Sequence, residues 1–393
     1  MSKPKILVVC DYYLPGYKSG GGMRTIVNMV DRLRDRFDFW IITRDHDGKL
    51  DKEQYRDVEI DAWNDVRGAR VFYLSKPNIG LRKLRSLVLE VEPDAIYANS
   101  FFSTLAIFAL KLRKLKLITK VPIVIAPCGE LTDGALKIKS GKKRAFLKIS
   151  GLSGLYNDVI WKASSELEKE EILRVKGKGG RIFIAPDLPP KILLEDFCPE
   201  KKPEKISGEA RFVFLSRFMP KKNFKWLLEN FPETGARLTI DIYGPLEDRN
   251  YWEECQRIIE KFPPNISIKA RDSIPYEQVC EKLLEYHFFI LPTLSENFGH
   301  VFLEALAAGC PLVISDRTPW LGLEKKGIGW DLSLEEPEKW AEVIKKCLEM
   351  NAGDYVRLSG KARSFALVWL ADEKVERDTV EVLNYSLSKR SAF

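Results

Sequence analysis

A chain of 393 residues, 45% hydrophobic and 30% charged, has ordinary globular composition and exceeds what one hydrophobic core usually supports, so two domains are expected. No apolar run reaches the ~18 residues of a membrane span, and the opening residues read as a strand without a cleavage site, which places the chain in the cytoplasm. Seven cysteines with no Cys-x-x-Cys fit a reducing compartment, and three scattered histidines (His46, His287, His300) argue against an all-protein zinc site, so no metal is expected.

The net charge of +7 is unevenly placed. Eleven Lys or Arg stand against two acids between Ala109 and Ser150, which suits a negatively charged visitor. No recognition motif accompanies them, so nucleic acid is not an expected partner.

The first half alternates strands and helices, the pattern of a parallel sheet covered on both faces. Residues 5–10 form the first strand. The loop Ser19-Gly20-Gly21-Gly22 follows and leads into a helix with Met23, Ile26, Val27, Val30 and Leu33 on one face. Further strands are expected at 37–43, 71–74, 94–98, 123–126, 158–163 and 181–185, with helical patterns between most of them, such as Leu81, Leu84, Leu87, Val88 and Val91. Periodicity then stops. Residues 187–209, rich in proline and charge, read as a linker between a first domain (1–186) and a second (210–372).

The second half restarts the alternation, with strands at 211–216, 238–243, 266–270, 287–291 and 311–315. It closes on amphipathic helices at 337–350, 354–369 and 373–387. Two such α/β domains would face each other across a cleft, and ligands of open α/β sheets bind beyond the carboxyl ends of the strands.

The loop after the strand at 287–291 opens the segment Glu296-Asn-Phe-Gly-His-Val-Phe-Leu-Glu304-Ala-Leu-Ala-Ala-Gly309. Glu304 is the only ionisable side chain between Val301 and Gly309, and a carboxylate in an apolar helix is costly unless it is paired or hydrogen-bonded. If both glutamates were helical, eight steps would separate them by ~12 Å, about the reach from a ribose across a diphosphate to a sugar and too far for a glycosidase pair, although Glu296 is expected just before the first turn. Backbone N–H groups at Asn297 to Val301 could receive phosphate oxygens. Taken alone, a helix cap at Glu296 and a solvent-facing Glu304 explain the pair as well.

Arg217 and Lys222 follow the first strand of the second domain, where cations can neutralise a departing diphosphate; solvated surface cations are the plain alternative. Gly20, Gly21 and Gly22 permit close backbone approach to a ligand, although a flexible turn fits them too. Thr25 stands where a dinucleotide fingerprint has its third Gly or Ala; Asp45 after the second strand is the one feature favouring a nicotinamide cofactor.

The segment Glu296 to Glu304 resembles the Glu-x7-Glu motif of retaining family 4 glycosyltransferases, and the run Glu304-Ala-Leu-Ala-Ala-Gly-Cys-Pro-Leu-Val continues that pattern. The resemblance covers nearly the whole chain and is densest from Arg211 to Asp316. It implies the GT-B fold, two Rossmann-like domains with a C-terminal helix (373–393) crossing back to the first. It also implies a nucleotide diphosphate sugar as donor substrate, no cofactor, and transfer to a hydroxyl acceptor with retention.

By the same resemblance, Glu296 contacts the donor sugar and Glu304 the ribose, with Asn297, Phe298, Gly299, His300 and Val301 between them. Arg217 and Lys222 match an Arg-x4-Lys pair on the phosphates. Gly21 and Gly22 match the first-domain loop bordering donor phosphate and acceptor. Gly244, in a Gly-Pro-Leu turn, borders the nucleotide, and Arg271 lies where the base is received.

The segment Pro127-Cys128-Gly129-Glu130, followed by Gly134-Ala-Leu and a lysine-rich stretch, resembles a bacterial surface-polysaccharide branch (O-antigen, capsule or exopolysaccharide). It makes Cys128, Gly129 and Glu130 candidates for the acceptor or sugar side. The chain departs from that branch at three places: Cys128 replaces Arg (often His elsewhere in the family), Lys162 replaces His, and Asp187 replaces Asn.

A lipid-linked saccharide is the preferred acceptor. The basic helix from Lys142 to Lys148 could lie against the inner face of an anionic membrane, or could simply be solvated. A sugar-nucleotide epimerase and a non-catalytic nucleotide-binding regulator are the competing readings. Nucleotide base, sugar, acceptor and oligomeric state are not encoded in motif spacing.

Overall fold

The computed structural model describes residues 2–48, 51, 53–118, 121–137, 140–191 and 202–390. Many strand sequences are near-continuous apolar runs such as IVIA, FFIL and LVIS, buried throughout, as expected of parallel strands covered on both faces. The chain divides into two units, Met1–Lys191 with Glu373–Phe393, and Ile192–Asp372.

In the first unit the elements run β1 (Lys5–Val9), α1 (Gly21–Leu33), β2 (Asp38–Arg44), β3 (Trp63–Val66), β4 (Ala69–Leu74), α2 (Leu81–Val91), β5 (Ala95–Asn99) and α3 (Thr104–Lys114). Then come β6 (Ile123–Ala126), α4 (Asp133–Lys137), α5 (Ser140–Ser153), β7 (Ile160–Ala163), α6 (Glu166–Val175) and β8 (Ile182–Ile184). The sheet order is β3-β4-β2-β1-β5-β6-β7-β8, parallel except for the β3–β4 pair. Strand order reverses between β1 and β5, so the loops after those two strands meet.

The second unit runs β9 (Glu209–Leu215), α7 (Phe224–Glu229), β10 (Arg237–Tyr243), α8 (Arg249–Ile259), β11 (Ile266–Arg271), α9 (Val279–Leu283), β12 (Phe288–Leu291) and α10 (His300–Ala307). It continues with β13 (Leu312–Ser315), α11 (Leu323–Lys326), β14 (Gly329–Leu332), α12 (Pro337–Glu349) and α13 (Ala352–Leu370). Its sheet is wholly parallel, in the order β11-β10-β9-β12-β13-β14, and reverses between β9 and β12. Phe212, Phe214, Phe288, Phe289 and Trp340 are each fully enclosed in its core.

The last helix, α14 (Glu373–Arg390), belongs with the first unit. The Tyr385 ring lies 4.9 Å from Phe183, Glu376 pairs with Arg36 at 3.3 Å, and Arg390 pairs with Asp94.

Two strands, β3 and β14, are additional to those expected. Each has four residues, and the sequences WNDV and GWDL carry the Asn, Asp and Gly that otherwise signal turns.

The described residues at both ends of the stretch 187–209 are tied to the unit they adjoin. Asp187 and Leu188 are buried in the first unit. Lys205, only 2% exposed, donates to the carbonyls of Ile206, Leu348 and Met350 at 2.9–3.1 Å in the second. Side chains hydrogen-bonding to carbonyls, rather than apolar periodicity, hold these residues. Positions 192–201, Cys198 among them, lie outside the described residues, as do 391–393 of the expected C-terminal helix.

Candidate functional site

The reversal between β9 and β12 brings together the loops that follow them. After β9 the chain runs through Ser216 to Met219 into a short turn, Pro220–Lys222. The carbonyl of Lys221 accepts from the Leu294 amide at 2.9 Å and from the Thr293 hydroxyl at 3.3 Å, stitching the two loops. Lys222 thereby meets Glu296 in a direct ion pair, with side chains 10% and 14% exposed.

Burial alone would raise the Glu296 carboxyl, but the charge of Lys222, then that of Lys221, outweighs it and holds the group below its ordinary value. Glu296 is therefore an anion, clamped by a cation, at the carboxyl edge of the sheet.

The loop after β13 supports this arrangement. The Glu296 amide donates to the Arg317 carbonyl at 3.1 Å, and the indole of Trp320 donates to the Phe298 carbonyl at 2.6 Å. Trp320 also packs in a ring cluster with Phe298, Phe302, Phe365 and Trp369. Sequence reading overlooked Trp320, because an aromatic after a strand carries no spacing signal of its own.

Gly299, at φ 78°, ends the loop and opens α10; a Cβ there would come within 2.5 Å of the Phe302 ring. Glu304 is 1% exposed, which overturns the reading of a solvent-facing Glu304. It lies in a helix whose other buried members are His300, Phe302, Leu303, Ala305, Leu306 and Ala307. Phe298 and His300 are buried against each other, with ring centroids 5.0 Å apart, while Asn297 and Val301 are half-buried.

Arg217 is more open. Its guanidinium meets Glu247 at 3.1 Å rather than Glu296. The loop carrying it is braced by the Gly244-Pro245-Leu246 turn: the Phe218 amide donates to the Pro245 carbonyl at 2.9 Å, and the Glu247 amide to the Phe218 carbonyl at 3.1 Å. Gly244 has φ 128°, and a Cβ on it would stand 2.0 Å from the Ser216 carbonyl oxygen. Gly244→Ala is therefore expected to cost more than ~4 kcal/mol and to displace Arg217. A thermal melt close to that of the unsubstituted protein would contradict this.

Arg271 was expected to face a nucleotide base. It hydrogen-bonds Asp241 at 2.8 Å, two residues before its own register partner Tyr243, and Asp241 also accepts from Tyr286 at 2.8 Å. The ion pair draws the guanidinium toward Asp241, in the middle of β10.

In the first unit, Gly20 at φ 77° precedes α1, and Gly21 and Gly22 form its first two positions. The Asn99 amide group donates to the Gly22 carbonyl at 2.9 Å, and the Cys128 thiol lies 3.1 Å from Asn99 Oδ1. Burial, then the neighbouring carboxylates of Asp187 and Glu168, pushes the Cys128 thiol well above its ordinary value, so it is a neutral buttress.

Gly129 gives its amide to Glu168 at 2.7 Å. Glu130 accepts from the Ser100 hydroxyl and the Phe101 and Phe102 amides at 2.6–2.9 Å. All three acceptor-side candidates thus brace local turns, the Glu130 carboxylate through the loop after β5.

Residues 199–365 match the family model described as glycosyl transferases group 1. The chain carries a group 1 glycosyltransferase domain. That domain contains Arg217, Lys222, Gly244, Arg271, Glu296, Glu304 and Trp320. Over 368 residues the chain is 24% identical to the putative glycosyltransferase EpsF of Bacillus subtilis, covering 85% of this chain and 86% of that one.

Among solved structures it resembles Anabaena Alr3699/HepE in complex with UDP and glucose, with TM-score 0.69, 15% identity, and 97% and 100% of the two chains covered. It also resembles sucrose-phosphate synthase of Thermosynechococcus elongatus, with TM-score 0.70, 13% identity, and 98% and 100% covered. The fold is GT-B. Among the described residues no three His, Cys, Asp or Glu side chains gather as a metal site, and no helix is long and apolar enough to cross a membrane.

Proposed function

We propose that this chain transfers a glycosyl group from a nucleotide diphosphate sugar to a hydroxyl acceptor with retention of configuration. The observation that carries this is the Lys222–Glu296 pair, set at the reversal of the group 1 domain's sheet just before α10. A pre-paired carboxylate and ammonium match the two charges of a glycosyl transfer, a developing positive charge on the sugar and a growing negative charge on the leaving diphosphate.

Lys222, with Arg217 and the amides at the start of α10, stabilises the departing diphosphate. Glu296 takes up sugar hydroxyls as Lys222 turns to phosphate, and Glu304 binds the ribose. The bond from the anomeric carbon to the phosphate oxygen breaks, the acceptor oxygen bonds that carbon on the same face, and the acceptor proton passes to the leaving phosphate. Lysine and arginine supply the charge here, so turnover is expected to survive excess chelator.

The proposed acceptor is a lipid-linked saccharide of bacterial surface polysaccharide assembly. Supporting it, α5 carries Lys142, Lys143, Arg144 and Lys148 beside the exposed Ile149 and Leu152, which suits peripheral contact with anionic lipid.

Thermal-shift titration with UDP, GDP and ADP sugars tests the donor assignment. At 100 times Kd, binding adds about 2.7 kcal/mol, a rise of about 5 °C for a unit of this size. No shift with any of the three would remove the reading, and epimerised donor in an acceptor-free incubation would replace it.

A further inference from the structure

β7 carries a lysine in an otherwise apolar strand: Ile160, Trp161 and Ala163 are buried, and Lys162 is only 3% exposed. Its ammonium pairs with Asp187, itself 4% exposed, two residues beyond the last β8–β7 backbone hydrogen bond. Burial opposes the charge on Lys162, and the Asp187 carboxylate outweighs it, so the lysine is held as a cation. Such a pair is a poor way to add stability, because apolar residues of similar volume usually serve a core as well.

What the pair does is hold a third group. The other oxygen of Asp187 lies 3.0 Å from the hydroxyl of Thr25, one helical turn into α1, and the same hydroxyl lies 3.1 Å from the Gly21 carbonyl. The contact continues along α1 at helical spacing. Asn28 donates to the Leu188 carbonyl at 2.8 Å, and Arg32 to the Pro189 carbonyl at 2.8 Å. Asn99 donates to the neighbouring Gly22 carbonyl at 2.9 Å.

Asn99 thus holds the Gly22 carbonyl, while the single proton of the Thr25 hydroxyl goes to Asp187 and anchors α1 one turn from its start. The start of α1, which has no acidic side chain and no side-chain cap, is left in one fixed orientation. Two positions that depart from the bacterial branch, Lys162 and Asp187, are therefore a single unit, and each would be untenable without the other.

We infer that Lys162 is a positioning residue: through Asp187 and Thr25 it sets the Gly20 to Gly22 loop in the conformation that receives the diphosphate of the donor. This rests on the glycosyl-transfer reading for the ligand, but not for the loop order itself. Lys162 touches no substrate. Its loss lowers the fraction of molecules with a competent loop, which weakens apparent affinity by that fraction and leaves chemistry in the competent fraction unchanged.

The experiment uses the full chain and four variants: Thr25→Val, Lys162→Arg, Lys162→Met, and the double variant Lys162→Met with Asp187→Leu. Hydrogen exchange of the segment 16–27 is followed by mass spectrometry, and turnover is measured with UDP-glucose as probe. Thr25→Val and the double variant are expected to exchange roughly tenfold faster in that segment, with KM for the probe raised by a similar factor and kcat within about twofold. Lys162→Arg, which keeps the charge on Asp187, is expected to stay near the unsubstituted protein in both.

Lys162→Met alone strands a buried carboxylate. If it fails to fold, Thr25→Val and the double variant still decide the matter, because neither leaves a lone charge. Unsubstituted exchange and unsubstituted KM in both would overturn the inference and leave the ion pair a core feature. If the unsubstituted protein does not bind UDP-glucose, the donor reading fails for that sugar nucleotide, while the exchange result still decides the positioning role.

Discussion

Replacing Lys222 with methionine is expected to lower kcat with the preferred sugar nucleotide by ~10²–10³-fold, the usual loss when one preorganised charge-stabilising donor is removed. The same change should alter how the protein responds to acid. In the unsubstituted protein Glu296 titrates below its unfolded value, so its contribution to stability is present above about pH 4.3 and is lost as pH falls through the folded value.

Without Lys222 the burial that now opposes ionisation has less to oppose it. The carboxyl then titrates higher, and stability is gained rather than lost on mild acidification. A melting temperature that rises between pH 7 and pH 5 in Lys222→Met, and does not in the unsubstituted protein, is the expected signature.

Glu296→Gln in the same background should add much less than its own single effect, since the two groups act as one unit. Full additivity of Lys222→Met and Glu296→Gln in kcat, or unchanged turnover in Lys222→Met, would show that the pair is a structural ion pair beside the reaction.

What was legible in the sequence follows from which forces leave a local pattern. Apolar runs and helical faces are such patterns, so most strands of both sheets were placed within a few residues, and the loops after β9 and β12 could be singled out before their contact was visible. The contact itself depends on strand order, which places β12 beside β9 although β10 and β11 intervene in the chain.

Glu304 shows the limit from the other side. Its apolar neighbours signalled a costly carboxylate, but only coordinates distinguish a buried glutamate from one on an exposed stripe. The partner of Arg271, Asp241, could not be read from the sequence because it sits on a neighbouring strand at no fixed sequence distance. Lys162 and Asp187 each read as an isolated departure from a resemblance, and their pairing across β7 and the end of β8 makes them one substitution.

Trp320 gives the sharpest separation of packing from positioning. Trp320→Ala removes a ring that is 8% exposed and packed on Phe298, Phe302, Phe365 and Trp369, and should cost about 3–5 kcal/mol of stability. That loss alone would not implicate the site. Trp320→Phe keeps most of the packing and deletes the indole N–H that holds the Phe298 carbonyl at 2.6 Å, leaving that oxygen short of a donor at about 1–3 kcal/mol.

Because Phe298 lies two residues from Glu296 and one from the Gly299 that opens α10, that carbonyl helps fix the whole turn between them. Trp320→Phe is therefore expected to raise donor KM about tenfold, with kcat changed by no more than about threefold. Calorimetric titration of UDP should show the same loss of affinity. A variant that melts a few degrees lower yet binds UDP as tightly as the unsubstituted protein would confine Trp320 to the core and leave the Glu296 turn to the Arg317 carbonyl and the Lys222 pair.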